Sequence, residues 1–355
     1  MNLNNKETFT GNRGLAIEEP LIFEQDGPGR SGVDLPDVPD VPLRLGKLAP
    51  RDKVGLPGLA EPQVVRHYTR LSQKNYAIDS GLYPLGSCTM KHNPRLNEKM
   101  ARLAGFADLH PMQPISTVQG ALELMDQLAH WLKTLTGMAA ATLAPAAGAH
   151  GEMAGMMAIK AALTARGEGE SRRRVLAPES AHGTNPATAA ALGFSVDPVP
   201  ATADGRVDLD ALKANLGPDD AANMLTKPNT SGLFERDIAA LSDAEHSAGA
   251  YFYCDGANFN AIVGRVRPAD LGVDAMHINL HKTFSTPHGG GGPGSGPVVF
   301  SQALAPFVPV PFVVFKDGKF DLVEHADGTQ AFGRILRVGD HGLGHAVSLG
   351  QHQDL

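Results

Sequence analysis

The sequence predicts an α/β protein built on a mostly parallel sheet. Three observations carry that prediction. From about residue 138 onward, short apolar runs alternate with helix-length runs. Each apolar run ends in a loop of polar or small residues, where open parallel sheets hold their ligands. A chain of 355 residues that is 42% apolar can also bury a large core.

Composition excludes several classes. The net charge of -7 gives no electrostatic reason to expect nucleic acid. Arg172-Arg-Arg174 is the one basic run, and it reads as a solvated helix-to-strand junction. Cys88 and Cys254 do not make a disulfide scaffold and fit a reducing, cytoplasmic compartment. The polar opening from Asn2 to Thr10 is no signal peptide. No apolar run reaches membrane-spanning length.

Residues 1–65 are rich in Pro, Gly and Asp and read as an extended arm. Pro36, Pro39 and Pro42 favour open backbone. Tyr83-Pro-Leu-Gly-Ser-Cys-Thr-Met-Lys-His-Asn-Pro94 has no strand or helix period and is dense in hydroxyls and cations. It reads as a substrate-contacting loop, with Ser87, Cys88 and Thr89 as its candidates. Cys88 as a nucleophile is the weaker alternative, because no partner histidine is identifiable. Ser116-Thr-Val-Gln119 is a capping-box pattern. Leu124, Leu128, Leu132 and Leu135 then recur at helical spacing up to the stop at Gly137.

The alternating region follows. Ala139 to Leu143 is a strand, and Ala144-Pro-Ala-Ala-Gly-Ala-His-Gly-Glu152 is a turn into a helix. Free amides and the helix dipole make such a turn an anion site, here at Gly148 and Ala149. Arg174 to Ala177 is the next strand, with His182 just past it and Pro186 near a helix start. Phe194 to Val199 is another strand, Asp204-Gly205 a turn, and Asp208 a helix cap. Ala221 to Leu225 leads to Asn229 in a loop, and Tyr251 to Cys254 leads to Asp255-Gly-Ala-Asn258. Met276, Ile278 and Leu280 alternate, which predicts a half-buried strand running into His281-Lys282 and a glycine-rich loop.

Lys282 carries the sharpest chemical signal. A lysine at a strand end loses solvent, which lowers an amine's pKa, and the free base attacks aldehydes. The glycines that follow let amides approach a phosphate. The pattern therefore points to pyridoxal phosphate, against the plainer alternative of a surface lysine beside a loose loop. A buried Asp255 can pair with a protonated ring nitrogen.

These motifs, in this order, resemble the P-protein (glycine decarboxylase) family of the glycine cleavage system, in particular the second subunit of its two-subunit bacterial form. The resemblance rests on the 83–94 loop, His182-Gly-Thr-Asn-Pro186, Pro228-Asn-Thr-Ser-Gly232, Asp255-Gly-Ala-Asn258 and His281-Lys-Thr-Phe284. Gly14-Leu-Ala-Ile-Glu-Glu-Pro-Leu-Ile-Phe-Glu24 is similar to its opening segment.

The resemblance implies a fold-type-I pyridoxal phosphate enzyme whose large, cofactor-binding domain spans 66–330. It implies that Lys282 carries the cofactor, Asp255 holds the ring nitrogen, and His182 stacks on the ring above Ala257. Gly148, Ala149 and His281 would lie near the phosphate, and Asn229 or Asn258 near the ring hydroxyl. The implied reaction takes carbon dioxide from glycine and passes the aminomethyl carbon to the lipoyl arm of H-protein. A heterotetramer with P-protein subunit 1 is the implied assembly.

Residues 331–355 depart from the family soon after Phe332-Gly-Arg334, so the small C-terminal domain is expected to be largely missing and the tail to be disordered. A metal site from His341, His345 and His352 is the rival reading of that tail, and it lacks a carboxylate to fix its geometry. Two other functions stay open. One is a cysteine-desulfurase-like or aminotransferase-like enzyme on the same fold. The other is a chain that binds cofactor or partner without turnover.

Overall fold

The computed structural model describes residues 18–323, except 26, 28, 38, 41, 43, 45, 49–54, 76, 78, 80, 82–91, 93, 111, 285 and 287–293. The expectations for the tail and for Ser87, Cys88 and Thr89 therefore lie outside the described residues. The chain divides into two compact units, Met1–Tyr83 and Pro84–Leu355.

In the first unit, α1 (Glu61–Gln73) carries Pro62 in its first turn, where a missing N–H costs nothing. Glu19 reaches back to this helix. It accepts from Arg70 Nη2 at 2.8 Å and lies 2.7 Å from His67 Nδ1. The Arg70 guanidinium holds the Glu19 carboxyl down at about 2.

The second unit opens with α2 (Arg95–Ala101), α3 (Ala104–Ala107) and the long α4 (Gln119–Thr136). Gly137 ends α4 in the left-handed region, at φ 72°. The capping box expected at Ser116 does not form. Val118 occupies the cap position, and Ile115–Thr117 is a single 3-10 turn. Gln119 is engaged elsewhere. Its amide donates to the Phe320 carbonyl at 2.8 Å and accepts the Phe320 N–H at 2.9 Å. It thereby pins a hairpin of β8 (Phe312–Lys316) and β9 (Lys319–Val323), numbered ahead of their place in the chain.

The core of the unit is a seven-stranded sheet. Its strands in chain order are β1 (Ala140–Thr142), β2 (Arg174–Pro178), β3 (Ser195–Val199), β4 (Asp220–Thr226), β5 (Tyr251–Gly256), β6 (Ala275–Ile278) and β7 (Val298–Phe300). Their order across the sheet is β1-β7-β6-β5-β4-β2-β3, and only β7 runs antiparallel to its neighbours. The helices α5 (Gly148–Ala165), α6 (Thr184–Ala191), α7 (Leu209–Asn215) and α8 (Ile238–Ser247) make the crossovers. Strand β2 sits between β3 and β4, so the winding reverses there and opens a crevice at the strand ends.

Side chains alternate between two cores. Tyr253, Ala275, Val298 and Phe300 join the core under α5 and α6, while Phe252, Cys254, Met276 and Ile278 join the opposite one. The half-buried strand expected at 276–280 is thus corrected: all four residues of β6 are buried. Parallel strands covered on both faces leave no side for water. The basic run is corrected as well. Only Arg173 is exposed. Arg174 makes a two-pronged pair with buried Asp220 at 2.8 and 3.0 Å, and Arg172 donates to the Asp220 carbonyl at 2.8 Å. Asp208 does cap α7, accepting from Ala211 N at 2.9 Å.

Candidate active site at the strand ends

Helix α5 approaches the sheet through one glycine face. A Cβ added at Gly148 would stand 2.5 Å from Asn279 Oδ1. One at Gly151 would stand 2.7 Å from His277 Cβ, and one at Gly155 would stand 2.5 Å from the Tyr253 ring. Spacings of three and four keep these glycines on one side of the helix. Only glycine lets the helix come this close while β5 and β6 carry large polar side chains.

The N-terminus of α5 has no side-chain cap. The amides of Gly148, Ala149 and His150 therefore face outward as donors. Among the described residues, three buried polar atoms near this point lack a partner: His150 Nδ1, Asn279 Oδ1 and Thr283 Oγ1. They sit on the first turn of α5, just past β6, and beside Lys282. Gly296 presses its backbone on the incoming loop, where its added Cβ would meet Ala147 O at 2.0 Å. The free amides, Thr283 Oγ1 and His150 can donate to an anion-sized ligand, whereas Asn279 Oδ1 can only accept.

At the end of β5 lies Asp255, 2% exposed. Oδ1 accepts the Ala257 N–H at 2.9 Å and faces His277 Nε2 at 3.4 Å. Oδ2 accepts from Asn185 Nδ2 at 3.1 Å. Asn185 is oriented in turn by Thr226 Oγ1, which donates to its Oδ1 at 3.4 Å. A carboxylate oxygen has two acceptor positions, so Oδ2 keeps one for a ligand N–H.

Lys282 follows the end of β6 and is 7% exposed. Its turn is built by backbone bonds from Lys282 N and Thr283 N to the Asn279 carbonyl at 3.0 and 3.1 Å. His281 is buried, with Nδ1 3.0 Å from the Ser295 carbonyl. His182 stands exposed on the loop after β2. Its Nδ1 lies 2.7 Å from Thr184 Oγ1, which donates to Glu152 at 2.6 Å.

The strand-end loops are laced together. Thr230 Oγ1 donates to Ser180 O at 2.7 Å, and Asn258 Nδ2 to Pro228 O at 3.1 Å. Asn229 is committed to its own loop: it donates to Gly205 O and accepts from Ser231 N and Leu233 N at 2.9 to 3.0 Å. Its amide is therefore occupied in shaping that loop.

Sequence reasoning missed the buried polar layer beneath Asp255. Tyr253, His277, Glu152 and Asn185 are each 3% exposed or less. One atom each from Glu152, Asp255 and His277 lie within 4.8 Å of one another. These are ligand types for a metal, but Thr184 and Thr188 hydroxyls already donate to Glu152, and Tyr253 engages His277. The one available signal was His277 itself, the polar member of an otherwise apolar strand. Lys227, also missed, is buried at the end of β4 with Nζ 4.1 Å from the Phe234 ring centre. Burial brings its amine down to about 8.

Comparisons with known proteins agree with this architecture. The Aminotransferase class-V family matches residues 154–292. A protein of Caulobacter vibrioides named probable glycine dehydrogenase (decarboxylating) subunit 2 is 66% identical over 94% of this chain, which spans 64% of that relative's length. A protein of the same name from Fervidobacterium nodosum is 49% identical, with 92% of this chain and 72% of the relative aligned. Among solved structures, an inhibitor-bound glycine decarboxylase (P-protein) of the glycine cleavage system superposes with a TM-score of 0.68 at 21% identity, covering 86% of this chain and 69% of that one. A Burkholderia pseudomallei sphingosine-1-phosphate lyase gives 0.56 at 14% identity, covering 86% and 71%. At these identities the structural likeness is one of fold.

Proposed function

This chain belongs to the glycine dehydrogenase (decarboxylating) subunit 2 family, and on that premise we propose that it binds pyridoxal 5'-phosphate and takes carbon dioxide from glycine. The observation that carries the reading is the pairing of a buried acid and a buried lysine at adjacent strand ends. Asp255 and Lys282 are 2% and 7% exposed.

The residues fit the cofactor. The capless N-terminus of α5, with Thr283 and His150 beside it, offers donors to a phosphate. When bound, pyridoxal phosphate would supply the sink for the electron pair that departing carbon dioxide leaves on carbon. Lys282 is the covalent attachment point. Asp255 holds a proton at the ring nitrogen, since its carboxylate is fixed by Asn185 and Ala257 and balances the pyridinium charge. His182 and Ala257 would contact the ring, and His281 braces the loop behind the lysine. The Ser87, Cys88 and Thr89 loop is assigned to glycine. The protein thus orients the scissile carboxylate and keeps water out.

The partners proposed are glycine, lipoylated H-protein and P-protein subunit 1, the last in a heterotetramer. We place the chain in the cytoplasm. Cys254 is buried and unpaired, and no helix among the described residues is long and apolar enough to cross a membrane. The test is borohydride treatment of the protein loaded with cofactor, followed by peptide mapping. Label on Lys282, together with glycine-dependent exchange of labelled bicarbonate in the presence of H-protein and subunit 1, is the expected result. Label on another lysine would overturn the assignment.

A further inference from the structure

Under the glycine face of α5 sits a polar pair that the proposed chemistry does not use. Tyr253 has no exposure, and burial raises its hydroxyl well above the usual phenol range, with the charges of Glu152 and Asp255 adding to the shift. The hydroxyl therefore keeps its proton. It lies 2.7 Å from His277 Nδ1, and the two rings stack at 19° with centres 6.3 Å apart. The hydroxyl can donate to Nδ1, while Nε2 faces a carboxylate, which only accepts; the neutral ring that suits both neighbours carries its proton on Nε2. Nε2 faces Asp255 Oδ1 at 3.4 Å, because β5 and β6 pair in parallel with Asp255 opposite His277.

Glu152 is the other acid within reach of His277. Its oxygens accept the Thr184 and Thr188 hydroxyls at 2.6 and 3.3 Å, and among the described residues the carboxylate in ion-pair range of Nε2 is Asp255. The room for this arrangement comes from Gly151 and Gly155. A Cβ on either would strike His277 or Tyr253. Helix, histidine and tyrosine are one construction.

We propose that Tyr253 and His277 are positioning residues: Tyr253 fixes His277 as the Nε2–H tautomer, and His277 holds the Asp255 carboxylate aimed at the cofactor's ring nitrogen. The proposal rests on the functional reading of Asp255 given above. An N–H in this place orients Oδ1 and leaves Oδ2 facing the ligand.

Two measurements on the full chain separate the proposal from that reading. In cofactor-free protein labelled with nitrogen-15 in histidine, long-range proton–nitrogen spectra should show His277 protonated on Nε2 alone. Tyr253→Phe keeps the ring and removes only the hydroxyl, and should produce a mixture of tautomers. With nitrogen-15 pyridoxal phosphate, His277→Leu should bind about tenfold more weakly, the size of one lost buried polar contact. Its ring nitrogen should also shift toward the unprotonated value. His277→Gln, which retains an N–H donor, should recover most of both effects. An Nδ1–H tautomer in the parent protein overturns the proposal. So does a tautomer unchanged by Tyr253→Phe, or a folded His277→Leu variant with parental affinity and nitrogen shift. Failure of the parent to bind pyridoxal phosphate would instead defeat the functional reading, and the cofactor-free spectra would still decide the tautomer.

Discussion

Replacing Glu245 with glutamine should stabilise this protein at neutral pH, against the usual effect of core substitutions. Glu245 on α8 is fully buried, and Asn223 Nδ2 on β4 donates to its Oε1. The two remaining atoms of the pair, Glu245 Oε2 and Asn223 Oδ1, are without partners. Burial pushes the carboxyl up to about 8 from its ordinary 4.5, and the charges of Asp274 and Asp220 act in the same direction. A protonated Glu245 would donate to Asn223 Oδ1 and complete the pair, as an amide N–H of glutamine would at any pH. The folded state holds this proton between 4.5 and about 8, whereas the unfolded chain releases it. Stability from the group is therefore complete below the unfolded value and is lost as pH rises through that window. Each unit costs about 1.4 kcal/mol, so the loss is on the order of 3 kcal/mol at pH 7. Urea unfolding of the parent and of Glu245→Gln, from pH 5 to 8.5, reads this directly. The midpoints should coincide near pH 5 and diverge in favour of the variant as pH rises. Taking the difference cancels other titrations, such as His246, which Asp274 raises. Parallel curves, or a variant less stable at every pH, would refute the reasoning.

The glycine face makes a second prediction. Gly155→Ala should cost about 1–3 kcal/mol or more through its clash with the Tyr253 ring, whereas exposed Gly120→Ala on α4, which meets nothing, should gain about 0.5–1 kcal/mol; thermal unfolding of both variants checks the contrast. Gln119→Ala should loosen the β8–β9 hairpin by removing both bonds to Phe320, seen as faster exchange of the Phe320 amide with α5 unchanged. Asp255→Asn should retain some cofactor yet lose most glycine–bicarbonate exchange, because an amide cannot balance a pyridinium charge; near-parental exchange would remove Asp255 from its role. His182→Phe should hold cofactor better than His182→Ala in absorbance titrations, since a ring face matters there more than a donor.

Much of this molecule was legible in the chain alone. The alternation of apolar runs and helices specified a parallel α/β sheet, because each pattern is local and has its own period. Asp208 announced its cap, and Gly137 its helix stop, through side-chain and backbone chemistry within a few residues. The positions of Asp255 and Lys282 followed from strand ends, which loops mark plainly. The tertiary structure decided what depends on register and packing. Gln119 reads as half of a capping box, yet it serves a hairpin 201 residues away. His277 gains its role only where β6 pairs with β5 and sets it opposite Asp255. Gly148 reads as part of a phosphate turn, whereas Gly151 and Gly155 admit His277 and Tyr253. Local periodicity encodes which element forms and which face is apolar. It carries no information on which distant side chain will lie 3 Å away, because that is fixed only when strands align and helices settle on the sheet.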